Sequence, residues 1–179
     1  IWVDETYINY LPDAVSLEPL CSSLPELVVC KSMSKCYALS GLRVAYAVSQ
    51  NMPTLRRYIP PWAVSLPGQL AAVAALRNEA YYAAQYDIIH QQRAAMQTTL
   101  EGLGFRVFSG VANYLLTYLP PASGFTSLRF IEACRAEGLF VRDAQNMGVM
   151  LPNNAVRFAV RSPEENKTML SIVDAVLAS

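Results

Sequence analysis

The sequence predicts an α/β protein in which the end of a mixed sheet is followed by a smaller α/β region. Short, continuous apolar runs that end in polar residues indicate buried strands, and longer segments with apolar residues every three or four positions indicate helices. Apolar residues make up 53% of the 179 residues and charged residues only 16%, as expected when helices cover both faces of a sheet. We predict a first domain at residues 1–66, then linking helices and a small second domain at 67–179.

Three strands are predicted in the first domain, at residues 1–3, 26–30 and 42–48. Each is a short apolar run bounded by loop or helix signals, which is typical of a parallel or mixed sheet. Ligands bind at the strand ends of such sheets. Asp4 directly follows the first strand, and the second strand leads into the loop that contains Lys35. We therefore expect a binding site at this edge of the sheet.

A loop and a long, broken helix connect the two regions. Pro60-Pro61 is incompatible with a helix interior, so a linker or an ordered loop is expected there. From Pro67 to Leu103 the apolar spacing predicts helix, with a break near Arg77-Asn78. Gly102 and Gly104 are expected to end this helix.

The remaining residues alternate between strands and helices. Strands are predicted at 105–108, 114–119, 139–142 and 156–160, and a helix at 126–137 that Gly138 ends. Ser162-Pro163-Glu164-Glu165 is a capping box with proline at the first helical position, so the last helix begins there.

Composition argues against several classes of function. The formal net charge is zero, so neither nucleic acid nor an anionic membrane is expected as a partner. No apolar run is long and continuous enough to cross a bilayer. The four cysteines lack paired spacing and are expected to be free thiols in a reducing, cytoplasmic compartment. The only histidine, His90, lies in a helical pattern, so neither a metal site nor a Ser-His-Asp triad is expected.

One lysine lies near groups that are suited to bind a phosphate. Ser32 and Ser34 precede Lys35, and Arg43 follows within the predicted strand 42–48. A lysine amine can condense with the aldehyde of pyridoxal phosphate, while hydroxyls and a guanidinium can hold the phosphate. A lysine in a serine-rich loop is also often only solvated. Arg43 within an apolar strand could instead form a buried structural ion pair.

Asp4 and Tyr7 could serve the ring of the same cofactor. A carboxylate beside a pyridine nitrogen keeps that nitrogen protonated, because an opposite charge at close range shifts a pKa by roughly 1–3 units. The protonated ring then withdraws electrons from the substrate α-carbon. Tyr7 could donate a hydrogen bond to the phenolic oxygen of the ring. The alternative for both residues is an ordinary turn at the end of a strand.

Three further residues could bind a substrate. Arg157 lies in the strand 156–160, and its guanidinium could clamp a carboxylate with two hydrogen bonds. Arg142, at the end of the strand 139–142, could bind a second anion. Asn113 begins another strand and could cap or pair locally instead. Each arginine could also be a solvated residue at a strand end.

These residues together resemble a known family. The runs Asp4-Glu5-Thr6-Tyr7, Ser32-Met33-Ser34-Lys35 and Gly41-Leu42-Arg43 look like those of the class I/II aminotransferases, which are fold-type I pyridoxal phosphate enzymes. The resemblance extends over essentially the whole chain and is strongest to the histidinol-phosphate aminotransferase subgroup, which includes threonine-phosphate decarboxylase of cobalamin synthesis. It implies a C-terminal part of such an enzyme: the end of the large-domain mixed sheet and the small C-terminal domain.

The resemblance implies a role for each cofactor-side candidate. Lys35 would be the Schiff-base lysine and the proton shuttle at the substrate α-carbon. Asp4 would pair with the pyridine nitrogen, and Tyr7 with the ring hydroxyl. The residues that would hold the cofactor phosphate are Ser32, Ser34 and Arg43.

On the substrate side, the resemblance assigns Arg157 to the α-carboxylate and Arg142 to the substrate's own phosphate, with Asn113 as a further candidate. The function expected is that of an aminotransferase acting on a small, phosphorylated amino acid or amine. Threonine-phosphate decarboxylase is the alternative, because Tyr37-Ala38 and the run 112–116 look more like that enzyme. The outcome depends on which bond of the α-carbon lies perpendicular to the cofactor ring.

The resemblance also implies that the site is incomplete. The family's first half supplies a glycine-containing phosphate loop, an aromatic residue that stacks on the ring, an asparagine, and a tyrosine from the dimer partner; none is in this chain. The chain begins with Ile1 in an apolar run, as expected of the second part of a longer protein. We expect the full-length protein to be a homodimer that needs this N-terminal half. An inactive fragment, or assembly with a separate first half, are the alternatives.

Overall fold

The computed structural model describes residues 1–148 and 151–179. Its backbone contacts divide the chain into two compact units, Ile1–Tyr86 and Asp87–Ser179. Each unit contains a sheet and helices, so the predicted α/β class is confirmed. The division lies inside the helix at 79–102. The domain boundary predicted after residue 66 stays a prediction.

The first unit contains a three-stranded mixed sheet. Strand β1 (Trp2–Asp4) runs parallel to β2 (Val28–Ser32), and β2 runs antiparallel to β3 (Ala45–Val48). The order β1-β2-β3 places β2 in the centre. The apolar runs that predicted these strands therefore form one sheet, as expected.

The two faces of this sheet have different surroundings. Consecutive side chains of a strand point to opposite faces, and the pairing sets Asp4 opposite Cys30. Val29, on the other face, belongs to a buried apolar cluster with Cys21 and Leu27. The face that carries Asp4 is more open, since Asp4 itself is exposed.

Helix α2 covers part of the first unit. After the short α1 (Met52–Leu55), α2 (Leu66–Leu76) begins at Ser65, whose hydroxyl accepts a hydrogen bond from Gly68 N at 3.2 Å. A Cβ on Gly68 would lie 2.9 Å from Val44 Cγ2. The helix thus approaches the segment before β3 so closely that only glycine fits there.

The second unit contains a four-stranded antiparallel sheet in the order β4-β5-β7-β6. Its strands are β4 (Arg106–Val107), β5 (Tyr114–Tyr118), β6 (Arg142–Asp143) and β7 (Ala155–Ala159). Leu115, Val156 and Phe158 face the core of the unit and are almost completely buried.

Three helices enclose that core. They are α3 (Glu79–Gly102), α4 (Ser127–Ala136) and α5 (Pro163–Leu177). The predicted break near Arg77-Asn78, the stop at Gly138 (φ +80°) and the capping box at Ser162 are confirmed. In the part of the chain that the structure describes, no helix is both long and apolar enough to cross a membrane.

Two strand predictions were wrong in ways that concern the arginines. β3 begins at Ala45 rather than at residue 42, because Ser40–Leu42 form a 3-10 turn and Arg43 adopts a left-handed φ of 53°. β6 contains only Arg142–Asp143, so Arg142 begins a strand instead of ending one. In the apolar run before it, Leu139 and Val141 are partly buried against the core, whereas Phe140 is 79% exposed.

Candidate active site

The carboxyl ends of β1 and β2 bring Asp4 and Ser32 to one edge of the first sheet, because neighbouring parallel strands end at the same edge. Asp4 Oδ1 accepts hydrogen bonds from Thr6 N at 2.9 Å and Thr6 Oγ1 at 2.5 Å. Thr6 Oγ1 in turn accepts one from Ser32 N at 3.2 Å. A cavity of about 370 Å³ borders these three residues. The edge therefore combines an anchored, exposed carboxylate with space for a ligand.

The loop after β2 presents Lys35 to solvent. Ser32 Oγ donates to Ser34 Oγ at 3.0 Å, so the two predicted phosphate hydroxyls lie side by side. The backbone carbonyl of Lys35 accepts hydrogen bonds from Tyr10 Oη at 3.2 Å and from Ala38 N at 3.1 Å. These bonds hold the backbone at Lys35, while its side chain remains exposed.

A tyrosine cluster supports this loop. The Tyr10 ring is 1% exposed and lies 6.2 Å from the Tyr7 ring and 5.2 Å from the Tyr86 ring, measured between centroids. Burial raises the pKa of Tyr10 far above its usual range. Tyr10 therefore remains a protonated donor to the Lys35 carbonyl at any physiological pH, and Tyr7 packs beside it.

Arg43 lies outside the strand in which it was predicted. It is exposed, and Nη1 donates to the Ser40 carbonyl at 2.9 Å. Among the described residues it forms no ion pair. The alternative of a buried structural ion pair is therefore wrong, and its proposed contact with a cofactor phosphate stays a prediction.

A buried ion cluster, which sequence reasoning missed, lies at the same strand ends. Lys31 Nζ is 3.2 Å from Glu5 Oε2 and 2.6 Å from Glu18 Oε1. Burial by itself raises the pKa of Glu5, but hydrogen bonds from Leu17 and Ser16 and the charge of Lys31 outweigh it, so this pKa lies below its usual value. A lone lysine in the apolar run 27–31 is the signal that could have revealed the cluster.

In the second unit the two predicted substrate arginines are neighbours. The register sets Arg142 on β6 directly opposite Arg157 on β7, so both side chains share one face of the sheet. The Arg157 guanidinium lies 4.8 Å from the centroid of the Tyr114 ring. Within the described ranges neither arginine forms an ion pair. Like charges directly opposite each other are destabilising, so this face favours binding an anion.

Asn113 immediately precedes β5. Its backbone carbonyl accepts a hydrogen bond from Val160 N at 2.9 Å, which ties the start of β5 to the end of β7. This bond joins two strands that lie far apart in sequence, so the local capping or pairing considered as the alternative role of Asn113 stays a prediction. A substrate contact by its side chain stays a prediction.

Sequence reasoning also missed Arg93 of α3, which is 6% exposed. Its guanidinium donates to the carbonyls of Gly110 at 2.6 Å, Tyr114 at 2.8 Å and Phe108 at 3.2 Å. Arg93 therefore holds the loop between β4 and β5, which includes Asn113. Its partners are backbone groups, which leave no recognisable pattern in the sequence.

Sequence comparison relates almost the whole chain to known enzymes. A family model described as aminotransferase class I and II matches residues 1–173. An aromatic amino acid aminotransferase from Mycobacterium avium is 33% identical over 178 residues, which are 95% of this chain and 46% of that protein. A threonine-phosphate decarboxylase from Salmonella typhimurium is 28% identical over 98% of this chain and 48% of its own.

Structural comparison gives the same fold. The histidinol-phosphate aminotransferase from Clostridium acetobutylicum superposes with a TM-score of 0.85 at 23% identity, over 99% of this chain and 54% of that one. The chain thus spans about half the length of the curated relatives that it matches.

Proposed function

Because the chain belongs to the aminotransferase class I and II family, we propose that it is the lysine-bearing part of a cytoplasmic enzyme that transforms a small amino acid or amine. Members of this family depend on pyridoxal phosphate. The observation that carries the proposal is the set of groups at the β1 and β2 ends. There Asp4, with its anchored carboxylate, and Ser32 border open space, the Ser34 hydroxyl lies beside that of Ser32, and the next residue is the exposed Lys35.

This set of groups fits the cofactor chemically. The Lys35 amine would hold its aldehyde, and the hydroxyls of Ser32 and Ser34, with the Arg43 guanidinium, would bind its phosphate. Two hydrogen bonds from Thr6 anchor the Asp4 carboxylate through Oδ1, and this carboxylate would hold a proton on the ring nitrogen. When bound, pyridoxal phosphate supplies an electron-withdrawing ring that stabilises negative charge at the substrate α-carbon.

The chain's own residues would then move the proton and tune the ring. Lys35 Nζ would carry a proton to and from the substrate α-carbon, for which it must be neutral during part of the cycle. Tyr7 Oη would donate a hydrogen bond to the phenolic oxygen of the ring.

For the substrate, we propose a phosphorylated amino acid or amine, as in histidinol-phosphate aminotransferase. Arg157 would hold the α-carboxylate where one is present, and Arg142 the phosphate; Asn113 is a further contact. The support is the direct cross-strand pairing of the two guanidiniums on one face, since a site with two adjacent cations suits a substrate with more than one negative charge.

A threonine-phosphate decarboxylase of cobalamin synthesis is the second candidate. The same two cations would suit threonine phosphate, which carries both a carboxylate and a phosphate. The relative from Salmonella typhimurium supports this reading at 28% identity.

The complete site would need residues outside this chain, in keeping with the half-length match to its relatives. We propose that the whole enzyme is a homodimer and that residues 1–179 alone bind cofactor weakly and do not turn over. An inactive, non-catalytic module is the competing reading, and the two experiments below together separate it from the enzyme.

The first experiment traps the cofactor in the full protein that carries this chain. Pyridoxal phosphate is added, borohydride is used to fix it, and the modified lysine is located by peptide mass spectrometry. We expect the label on Lys35 and its loss in Lys35→Arg, which keeps the charge but cannot be trapped. Lys167→Arg, on the exposed face of α5, is the matched control. Absence of label at Lys35 in the wild-type protein refutes the proposal.

The second experiment identifies the reaction. The full protein is assayed with histidinol phosphate plus 2-oxoglutarate, and with threonine phosphate alone. Glutamate formation supports the aminotransferase, whereas carbon dioxide release without a keto acid supports the decarboxylase. Turnover of an unphosphorylated aromatic amino acid in preference to both would refute a phosphorylated substrate.

A further inference from the structure

The buried ion cluster of Glu5, Lys31 and Glu18 lies behind the candidate cofactor site. Lys31 Nζ contacts both carboxylates, at 3.2 Å and 2.6 Å, and donates to Ser16 Oγ at 3.3 Å. The Lys31 and Glu5 side chains are only 8% and 4% exposed, and that of Glu18 is 29% exposed. The function proposed above uses none of these groups.

The cluster is adjacent in sequence to two of the proposed cofactor ligands. Glu5 directly follows Asp4, and Lys31 directly precedes Ser32. Because consecutive strand residues point to opposite faces, the ion pair joins β1 to β2 on one face while Asp4 and Ser32 occupy the other. Glu5 N also donates to the Cys30 carbonyl at 2.9 Å, which extends the β1–β2 pairing by one residue.

Further hydrogen bonds extend the cluster to neighbouring segments. Tyr46 Oη of β3 donates to Glu18 Oε1 at 3.0 Å. Glu5 accepts from Ser16 Oγ at 2.7 Å and from Leu17 N at 2.8 Å. The cluster therefore links both parallel strands, the antiparallel strand and the segment 16–18 at the end of the sheet where the ligands lie.

The charges in the cluster do not balance. Burial alone lowers the pKa of Lys31, but its bonds to Glu18 and Glu5 raise it above the usual value, so it is an ammonium facing two carboxylates. A buried ion pair seldom stabilises a fold more than apolar residues of the same shape. Its better-supported use is to specify one arrangement of the chain, and here that arrangement is the register of β1 against β2.

We propose that Lys31 and Glu5 are positioning residues for the cofactor site. They fix the Asp4 carboxylate relative to the Ser32 hydroxyl from the opposite face of the sheet, without touching the cofactor themselves. This role rests on the proposed function, because it presumes that Asp4 and Ser32 bind the cofactor. How firmly the cluster holds these two residues can nevertheless be measured in the cofactor-free protein.

The experiment compares four variants of the full protein with wild type. Lys31→Met leaves the buried Glu5 carboxylate and the partly exposed Glu18 carboxylate without their cation, and Lys31→Arg preserves the charge. A triple variant, Lys31→Met with Glu5→Gln and Glu18→Gln, removes every charge of the cluster. Lys167→Met, on an exposed helix face, is the matched control.

Three quantities are measured for each variant. The first is amide hydrogen exchange of Thr6 and Ser32 without cofactor, since these amides bond to Asp4 Oδ1 and Thr6 Oγ1. The second is the dissociation constant for pyridoxal phosphate from absorbance, together with borohydride trapping on Lys35. Melting temperature is recorded to separate folding from positioning.

We expect Lys31→Met to lower the melting temperature and the triple variant to recover it. The triple variant should still exchange the Thr6 and Ser32 amides about tenfold faster and bind cofactor about tenfold more weakly, because the strand ends are no longer held by charge. Lys31→Arg should retain most of the wild-type protection of these amides and most of the wild-type affinity for the cofactor.

A triple variant with wild-type exchange and wild-type affinity would overturn the inference, since the cluster would then only balance its own charge. If the wild-type protein binds no pyridoxal phosphate, the proposed function fails, and the exchange data alone decide whether the cluster positions Asp4 and Ser32. Unchanged exchange in the triple variant refutes the inference in that case too.

Discussion

Replacing Arg93 with methionine tests whether a buried guanidinium holds the loop between β4 and β5. In the structure the side chain donates three hydrogen bonds, to the carbonyls of Gly110, Tyr114 and Phe108, at 2.6, 2.8 and 3.2 Å. Its partners are all backbone groups, and no carboxylate of the described residues pairs with it. Methionine keeps the apolar stem of arginine and removes only the donors and the charge.

The size of the effect follows from these contacts. A hydrogen bond from a charged donor contributes a net of roughly 1.5–3 kcal/mol, so three bonds set an upper range of about 5–9 kcal/mol. The loss is smaller because burial of the charge is no longer a cost. Water in the neighbouring cavity of about 230 Å³ can also reach some of the carbonyls. We expect the free energy of unfolding to fall by about 3 kcal/mol, or by roughly 6–12 °C in melting temperature.

The assay is urea and thermal denaturation followed by circular dichroism. Arg129→Met is the matched control, because Arg129 lies exposed on α4 and should change stability by less than about 0.5 kcal/mol. Arg93→Lys should fall between wild type and Arg93→Met, since a compact ammonium lacks the fork of donors with which the guanidinium reaches three separate carbonyls. If Arg93→Met is as stable as Arg129→Met, the three hydrogen bonds do not hold the loop and the reasoning is wrong.

Two further predictions concern the first unit. Gly68→Ala should destabilise it by about 1–2 kcal/mol, because the new Cβ would lie 2.9 Å from Val44 Cγ2 and overpacking exceeds the gain in helix propensity. Gly102→Ala, where a Cβ meets nothing within 4 Å, is the control, and equal melting temperatures for the two would contradict the prediction. The lowered pKa of Glu5 means that its contribution is complete above its usual value of 4.5 and is lost as the pH falls through the folded-state pKa. Glu5→Gln should therefore flatten the acid side of a plot of melting temperature against pH, and an unchanged acid limb would exclude this linkage.

Much of the fold could be predicted because its signals are local. The capping box at Ser162 and the stop at Gly138 depend on residues within one turn of each other. The prediction that a strand includes Arg43 was wrong because of the backbone conformation at that residue. A left-handed φ of 53° at a residue other than glycine is uncommon. The residue types in the run 42–48 do not indicate that Arg43 adopts it.

The candidate site was predictable only in part. Some of its residues are marked by their own position in the sequence, whereas others depend on partners that lie far away along the chain. Asp4 and Lys35 could be chosen because the ends of parallel strands collect ligands. The pairing of Arg142 with Arg157 depends on the register of β6 against β7, which only the structure supplies. Arg93 and Lys31 were missed for the same reason, since each reaches partners at least 13 residues away along the chain.

Because side chains alternate along β1 and β2, the residues of the candidate cofactor site and those of the ion cluster cannot change faces independently. Asp4 and Glu5 are consecutive, as are Lys31 and Ser32, and the two members of each pair lie on opposite faces of the sheet.

A slip of β1 by one residue would turn Asp4 toward the buried lysine and expose Glu5 on the ligand face. That arrangement would still place a carboxylate on each face, so residue type alone does not exclude it. The hydrogen bonds that Glu5 accepts from Ser16 Oγ and Leu17 N, together with its contact to Lys31, favour the observed register because all of them hold Glu5 on the buried side. The face that carries no candidate chemistry thus determines which carboxylate the ligand face presents.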